Sequence, residues 1–444
     1  MNKKIMLWFD VEDYVTPETE ESLLEILKLT DAFGVKCTLK LCTMKYRQLK
    51  QRGRTDILKL MANHELAFHM TDHSVHPLPT EYLDRMGFGE GAVAFDQKEF
   101  PGFLELGALS GQNLTSYGHP GVAWAPQVFP ALRRWGVPTY LDVHDIVGID
   151  GKPFWYGGVL SYTGLVNLAH LAKDGSTDSM IRSFDGMALD GEETVFLSIY
   201  DHPHEIVTTQ FWDEVNFAGG RNSAYLTPSA LRSPEESRAL FEQYRAFLAY
   251  TTKQPDVEYV TALESMRFER QRKTPITADG LRDAVQANGA EANYAKIGDA
   301  YCTPSETLNL IARHLTGKVL TPELLYGPEE DTLSIVTGPV DAQALAHAVL
   351  DDTKRALGFK QLPDAYRIGQ NLISPADAYA TLAKALLEGA QTLDVQKGRL
   401  GAADNVNENS QFGGGWVLWD PDFQPEGIFR HTKLQCWTLK PAVF

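Results

Sequence analysis

The chain has 444 residues, 43% of them hydrophobic and 22% charged, a balance that excludes a disordered chain, a collagen-like repeat and a small disulfide scaffold. Its 41 Lys and Arg stand against 58 Asp and Glu for a net charge of -17, which opposes binding to nucleic acid or an anionic membrane and suits a neutral or cationic ligand. No run approaches the about 18 apolar residues of a membrane helix and Asp10 interrupts the first apolar stretch too early for a signal peptide, so a cytoplasmic location is expected, with Cys37, Cys42, Cys302 and Cys436 as buried free thiols.

In chain order, strands are predicted at 4–9, 36–41, 65–68, 138–141, 194–199 and 258–261, and helices at 18–33, 56–62, 126–135 and 234–250. Short β-branched runs alternating with helical periodicity define an α/β fold, a distorted (β/α) barrel of about seven strands over residues 1–268. The basic, proline-punctuated stretch RFERQRKTP (267–275) marks a boundary, and residues 275–444 are expected to form an α-rich second domain. That domain carries an internal echo at an offset of 71: Ile297-Gly298 lies on Ile368-Gly369, Thr303-Pro304 on Ser374-Pro375, Glu306 on Asp377, Ala312 on Ala383 and Leu315 on Leu386. Each copy reads as a hydroxyl N-cap, a proline at the first helical position and an acid three residues after the cap. Two ordinary capped helices would also read this way, and a duplicated unit is the sharper expectation. The tail, GGGWVLWDPDF and then IFRHTKLQCWTLKPAVF, is expected to supply a closing strand.

Histidine placement locates the chemistry. Nine of the twelve lie between His64 and His204, which puts metal-ligand and acid–base capacity in the barrel half. In NHELAFHMTDHSVHP, His64-Glu65 is followed by His69 at five positions instead of four, so the helical zinc-protease motif fails on spacing. His69 and His73 have the four-residue spacing after a strand, and His73 with His76 is a rival pair. The first strand ends in FDVEDY, where alternation points Asp10 and Glu12 the same way and Asp13 away. One carboxylate with two imidazoles at strand ends is the usual kit for a divalent catalytic metal with an open position.

FDVEDY after the first strand, HELAFHMTDH after the third and IYDHPHE after a late strand resemble the successive motifs of the polysaccharide deacetylase superfamily, the NodB-homology group, over about residues 4–265. The resemblance implies Asp10 as general base, Glu12, His69 and His73 as metal ligands, and His202 as general acid across the metal from Asp10. The sequence departs from the family at Gly118-His119-Pro120-Gly121, where an R-x-P-x-G arginine would pair with the base. Here His119 stands in for it, or Gly118 opens the site to another substrate. Asp142 and Asp145 resemble a D-x-x-D motif whose acid orients the catalytic histidine, although YLDVHD also reads as a plain strand end. FWDEVNFAGGRN reads as a loop in which Trp212 is a sugar platform or a core anchor, and the aromatics of PFWYGG either line the cleft or pack. His119, Pro120 and Trp212 are therefore the expected substrate contacts.

The implied activity is that of a hydrolase of carbon–nitrogen bonds other than peptides, N-deacetylating an N-acetylated sugar or polysaccharide in carbohydrate metabolism. It would use one divalent metal, zinc first and cobalt or nickel as alternatives. Hydrolysis of another small or cyclic amide on the same fold, and a non-catalytic glycan-binding protein, are the competing readings.

Overall fold

The computed structural model describes residues 2–187, 194–271, 275–410 and 418–444. Part of the RFERQRKTP boundary and the GGGW of the tail lie outside the described residues. The barrel strands are β1 (Asn2–Val11), β2 (Thr38–Leu41), β3 (Glu65–Phe68), β4 (Ser116–Tyr117), β5 (Thr139–Tyr140), β6 (Phe154–Tyr156), β7 (Val159–Ser161), β8 (Val166–Asn167), β9 (Thr194–Asp201) and β10 (Val257–Tyr259). They belong to one 11-stranded sheet ordered β6-β7-β5-β4-β3-β2-β1-β9-β8, with β10 beside β1 and the C-terminal strand Lys440–Pro441 outside β6. The barrel thus has more strands than the expected seven, because short pieces at both edges extend the parallel core. All its pairings are parallel except those of β6 with β7 and with the C-terminal strand.

Strand parity builds the site. On β1, Ile5, Leu7, Phe9 and Val11 pack into the main core with the helices, while Met6 and Trp8 join a smaller cluster with Ala67, Leu141 and Leu160. Because a strand alternates faces, Asp10 and Glu12 continue the row of Met6 and Trp8. The same alternation puts Lys40 between outward Leu39 and Leu41 on β2, and His69 one step past outward Phe68 on β3. On β9 it puts His202 in the row of Phe196, Ser198 and Tyr200, opposite outward Ile199. In the parallel register Asp10 stands beside Lys40 on one side, and Phe9 beside Asp201 on the other.

Phe88–Ser110 is a 23-residue helix that sequence reading passes over, since Pro101 and four glycines interrupt its periodicity. Trp212–Phe217 is a six-residue helix, not the expected loop. The four cysteines are buried and unpaired. No helix among the described residues is long and apolar enough to cross a membrane.

Beyond the barrel, two hairpins recur with the same register. Ile297 faces Ala300 and Ile368 faces Asn371 across two-residue turns, whose first residues Gly298 and Gly369 have φ of 64° and 61°. Helices Pro304–Leu315 and Pro375–Glu388 follow, capped by the Thr303 and Ser374 hydroxyls. Glu306 closes a capping box onto the Thr303 N–H at 2.8 Å, whereas Asp377 accepts from the Gly398 N–H at 2.8 Å. Leu308, Ile311, Tyr379 and Leu382 meet in a shared core. The chain then returns to the barrel, where Trp124 Nε1 donates to Thr432 Oγ1 at 2.9 Å and the Gly157 N–H to Thr438 Oγ1 at 2.8 Å.

Candidate active site

Glu12, His69 and His73 meet at the C-terminal mouth of the barrel. Glu12 Oε2 lies 3.2 Å from His69 Nε2 and 2.7 Å from His73 Nε2, and the two nitrogens are 2.9 Å apart. Every other polar atom of the three is committed outward. His69 Nδ1–H donates to the Gly118 carbonyl at 2.8 Å, which leaves the Nε2 lone pair for the cluster. His73 Nδ1 lies 2.5 Å from Ser74 Oγ, whose hydroxyl points at Asp213 Oδ2 at 3.4 Å. Glu12 Oε1 accepts from Trp212 Nε1 at 2.9 Å. Two imidazoles and one carboxylate, each oriented by an outer partner, fit a divalent ion in donor type, number and convergence.

The spacing of His69 and His73 is not helical. The segment after β3 is a loop in which Met70 and His73 take left-handed φ of 67° and 57°, each at an expense of order 1–3 kcal/mol. This bend brings both Nε2 atoms to one point. The rival ligands lie elsewhere: Asp13 Oδ1 accepts from the N–H groups of Val15 and Thr16 at 2.8 and 2.9 Å, and His76 pairs with Glu81 Oε2 at 2.8 Å.

Asp10 and His202 flank the cluster and touch each other, Asp10 Oδ2 lying 3.4 Å from His202 Nε2. They do not stand on opposite sides as expected, because β1 and β9 are adjacent strands. His202 Nδ1 is held by Glu205 Oε2 at 2.8 Å. The orienting acid is therefore Glu205, three residues on, and neither Asp142 nor Asp145. Burial alone would raise the Asp10 carboxyl, but Lys40, His69 and His202 outweigh it and hold it below the usual carboxylate range. Burial opposes the charge on His202, and Asp10 with Glu205 overcomes it, so its pKa lies well above the ordinary value.

The cation facing Asp10 is Lys40. Its Nζ lies 2.9 Å from Asp10 Oδ1 and 2.5 Å from Asp142 Oδ2, and its side chain is 0% exposed. His119 does not take this role: its Nδ1 meets Tyr140 Oη at 2.6 Å and its ring is buried. Gly118 makes the arrangement fit, since a Cβ there would stand 2.5 Å from Lys40 Cδ and 2.8 Å from Nζ. Sequence reading missed both Lys40 and Glu205, although a lysine inside TLKLC and an acid at the third position after His202 were visible signals. Gly118→Ala is expected to displace Lys40 and to cost about 1–3 kcal/mol of stability, measured by urea unfolding. Unchanged stability would show that Lys40 moves aside freely.

A cavity of about 650 Å³ opens over these groups, with Tyr200, Phe211, His119, Asp142 and His144 in its lining. Two expected substrate contacts are corrected. Trp212 is 0% exposed and serves Glu12 from behind, and Pro120 is buried and does not line the cavity. His119 does line it. Phe154 and Tyr156 pack in the core, not in the cleft.

No protein-family model and no curated protein matches the chain. Among solved structures it is similar to a 4-alpha-glucanotransferase from Thermococcus litoralis, with TM-score 0.42 and 13% identity over 60% of this chain and 40% of that one. It is also similar to Puue allantoinase, with TM-score 0.38 and 17% identity over 60% of this chain and 89% of that one. A third is the Xyl-CE4 domain of a multidomain xylanase from the hindgut metagenome of Trinervitermes trinervoides, with TM-score 0.33 and 13% identity over 60% and 91%.

Proposed function

We propose that the protein is a metal-dependent hydrolase of a non-peptide amide, N-deacetylating an N-acetylated sugar. The observation that carries this is the convergence of Glu12 Oε2, His69 Nε2 and His73 Nε2 beside a charged carboxylate and a histidine that holds its proton. A divalent metal bound by these three residues would supply Lewis-acid polarisation of an amide carbonyl and would lower the pKa of a water toward neutrality. Asp10, kept ionised by Lys40, is placed to accept a proton from a water through Oδ2. His202, kept protonated and fixed in tautomer by Glu205, gives a proton from Nε2 to the departing amine nitrogen. The products are acetate and a free amine. Tyr200 and Phe211 offer aromatic faces to the sugar ring.

Metal analysis is the first test. The protein should take up one equivalent of Zn²⁺, Glu12→Ala and His73→Ala should lose it, and Ser74→Ala, which removes the outer partner of His73, should weaken it about 10- to 100-fold. Acetate release from a panel of N-acetylated glycans should then vanish with a chelator. A protein that takes up no Zn²⁺, Co²⁺ or Ni²⁺ but binds glycans would be a lectin-like binder instead.

A further inference from the structure

Asp145, the second acid of the D-x-x-D stretch, has no part in orienting His202; both of its oxygens hold a segment from the far end of the chain. Asn407 Nδ2 donates to Asp145 Oδ2 at 3.0 Å and Ser410 Oγ to Oδ1 at 2.6 Å. The backbone joins in, with Asn407 N–H on the Ile146 carbonyl at 2.9 Å, Gly148 N–H on the Asn405 carbonyl at 3.3 Å, and Val406 bridged to Val147. Behind it, the same segment is tied to the second unit by the Ala402 N–H on the Ala292 carbonyl and to the helix Glu426–Leu434 by Lys433 on Glu408. The strap is therefore fastened on both sides, and its residues Asn409 and Ser410 form part of the cavity wall.

This wall bears on substrate size. Among the described residues, Asn409 and Ser410 are the only ones lining the cavity that come from outside the barrel's own strands and loops. With them, the cavity has about 650 Å³, within the range of about 300–1,000 Å³ that encloses a small molecule. Resting on the hydrolase reading above, we propose that the 405–410 strap, anchored by Asp145, limits the site to an N-acylated amine of mono- or disaccharide size and rejects a running polysaccharide chain. Asp145, Asn407 and Ser410 act here as specificity-determining positions, not as catalytic residues.

Calorimetric titration of the zinc-loaded protein with N-acetylglucosamine, its β-1,4 disaccharide and its hexamer tests the limit, with acetate measured in the same samples. The hexamer should bind no more tightly than the disaccharide, and the variant Asn407→Ala/Ser410→Ala should tighten hexamer binding relative to disaccharide about tenfold. A wild-type hexamer affinity more than about tenfold above that of the disaccharide, or no binding of any of the three, overturns the size limit. Binding with the expected size preference but without acetate release upholds the size limit and removes the hydrolytic reading instead.

Discussion

Replacing Lys40 by Met should cost about 3–5 kcal/mol of folding stability, the usual consequence of removing one partner from a buried charged group. Methionine matches the length of the lysine stem, so the loss is electrostatic and not a cavity effect. Asp10 and Asp142 are both buried, and even with Lys40 present burial pushes the Asp142 carboxyl up to about 7. Removing the ammonium raises the folded-state pKa of Asp142 further above the unfolded value of 3.8, and takes away the main charge that holds Asp10 below it. The folded variant then holds protons that the unfolded chain has released, so its stability falls as the pH rises above that value. The deficit relative to the parent should be smaller at pH 5 than at pH 8, and urea unfolding at both values measures it. Adding Asp142→Asn to Lys40→Met should recover part of the loss. A deficit under about 1 kcal/mol at pH 8 would mean that water reaches the pair and the lysine clamp is not needed.

Parity explains what the sequence discloses about this site and what it conceals. Asp10, Glu12 and His202 stand out because each follows an apolar strand whose alternation is plain, and the four-residue step from His69 to His73 is visible even though a bent loop, not a helix, realises it. Lys40 obeys the same alternation, yet a lysine in a short strand reads as solvent-facing until the neighbouring strands supply two carboxylates for it. The relation between Lys40 and Gly118 joins residues on different strands, and only the assembled barrel shows that the missing side chain of one makes room for the other. Trp212 and Asp145 fail for a complementary reason. An aromatic near a site suggests contact with substrate and an acid near a histidine suggests a partner that orients the catalytic ring, but Trp212 is turned inward to Glu12 and Asp145 is taken up by a segment about 260 residues away. In the second unit, local cap chemistry was legible at Thr303 and Ser374, while the turn glycines that make the hairpins alike lie at the head of the same repeat.

Asp10→Asn should lower acetate release by about 10² to 10⁴, the range attributable to a positioned acid–base group, while leaving metal content unchanged. The amide keeps the shape of the carboxylate and removes the proton acceptor. Folding should survive, because part of what keeps the Asp142 pKa high is the charge on Asp10. Once that charge is gone, Asp142 ionises more readily and serves as the counterion of Lys40 alone, so the change should cost no more than the about 1.5–3 kcal/mol of one charge-assisted hydrogen bond. His202→Ala should slow hydrolysis to a similar degree and leave Zn²⁺ uptake intact, since His202 is outside the Glu12, His69 and His73 set. The two variants should differ in their response to leaving group: a substrate whose amine departs without protonation should rescue His202→Ala and not Asp10→Asn. Asp13 offers no substitute base, as it does not line the cavity and its Oδ1 is committed to the turn at Val15 and Thr16. Near-normal acetate release from Asp10→Asn carrying a full equivalent of Zn²⁺ would therefore remove the carboxylate from the proton-transfer step.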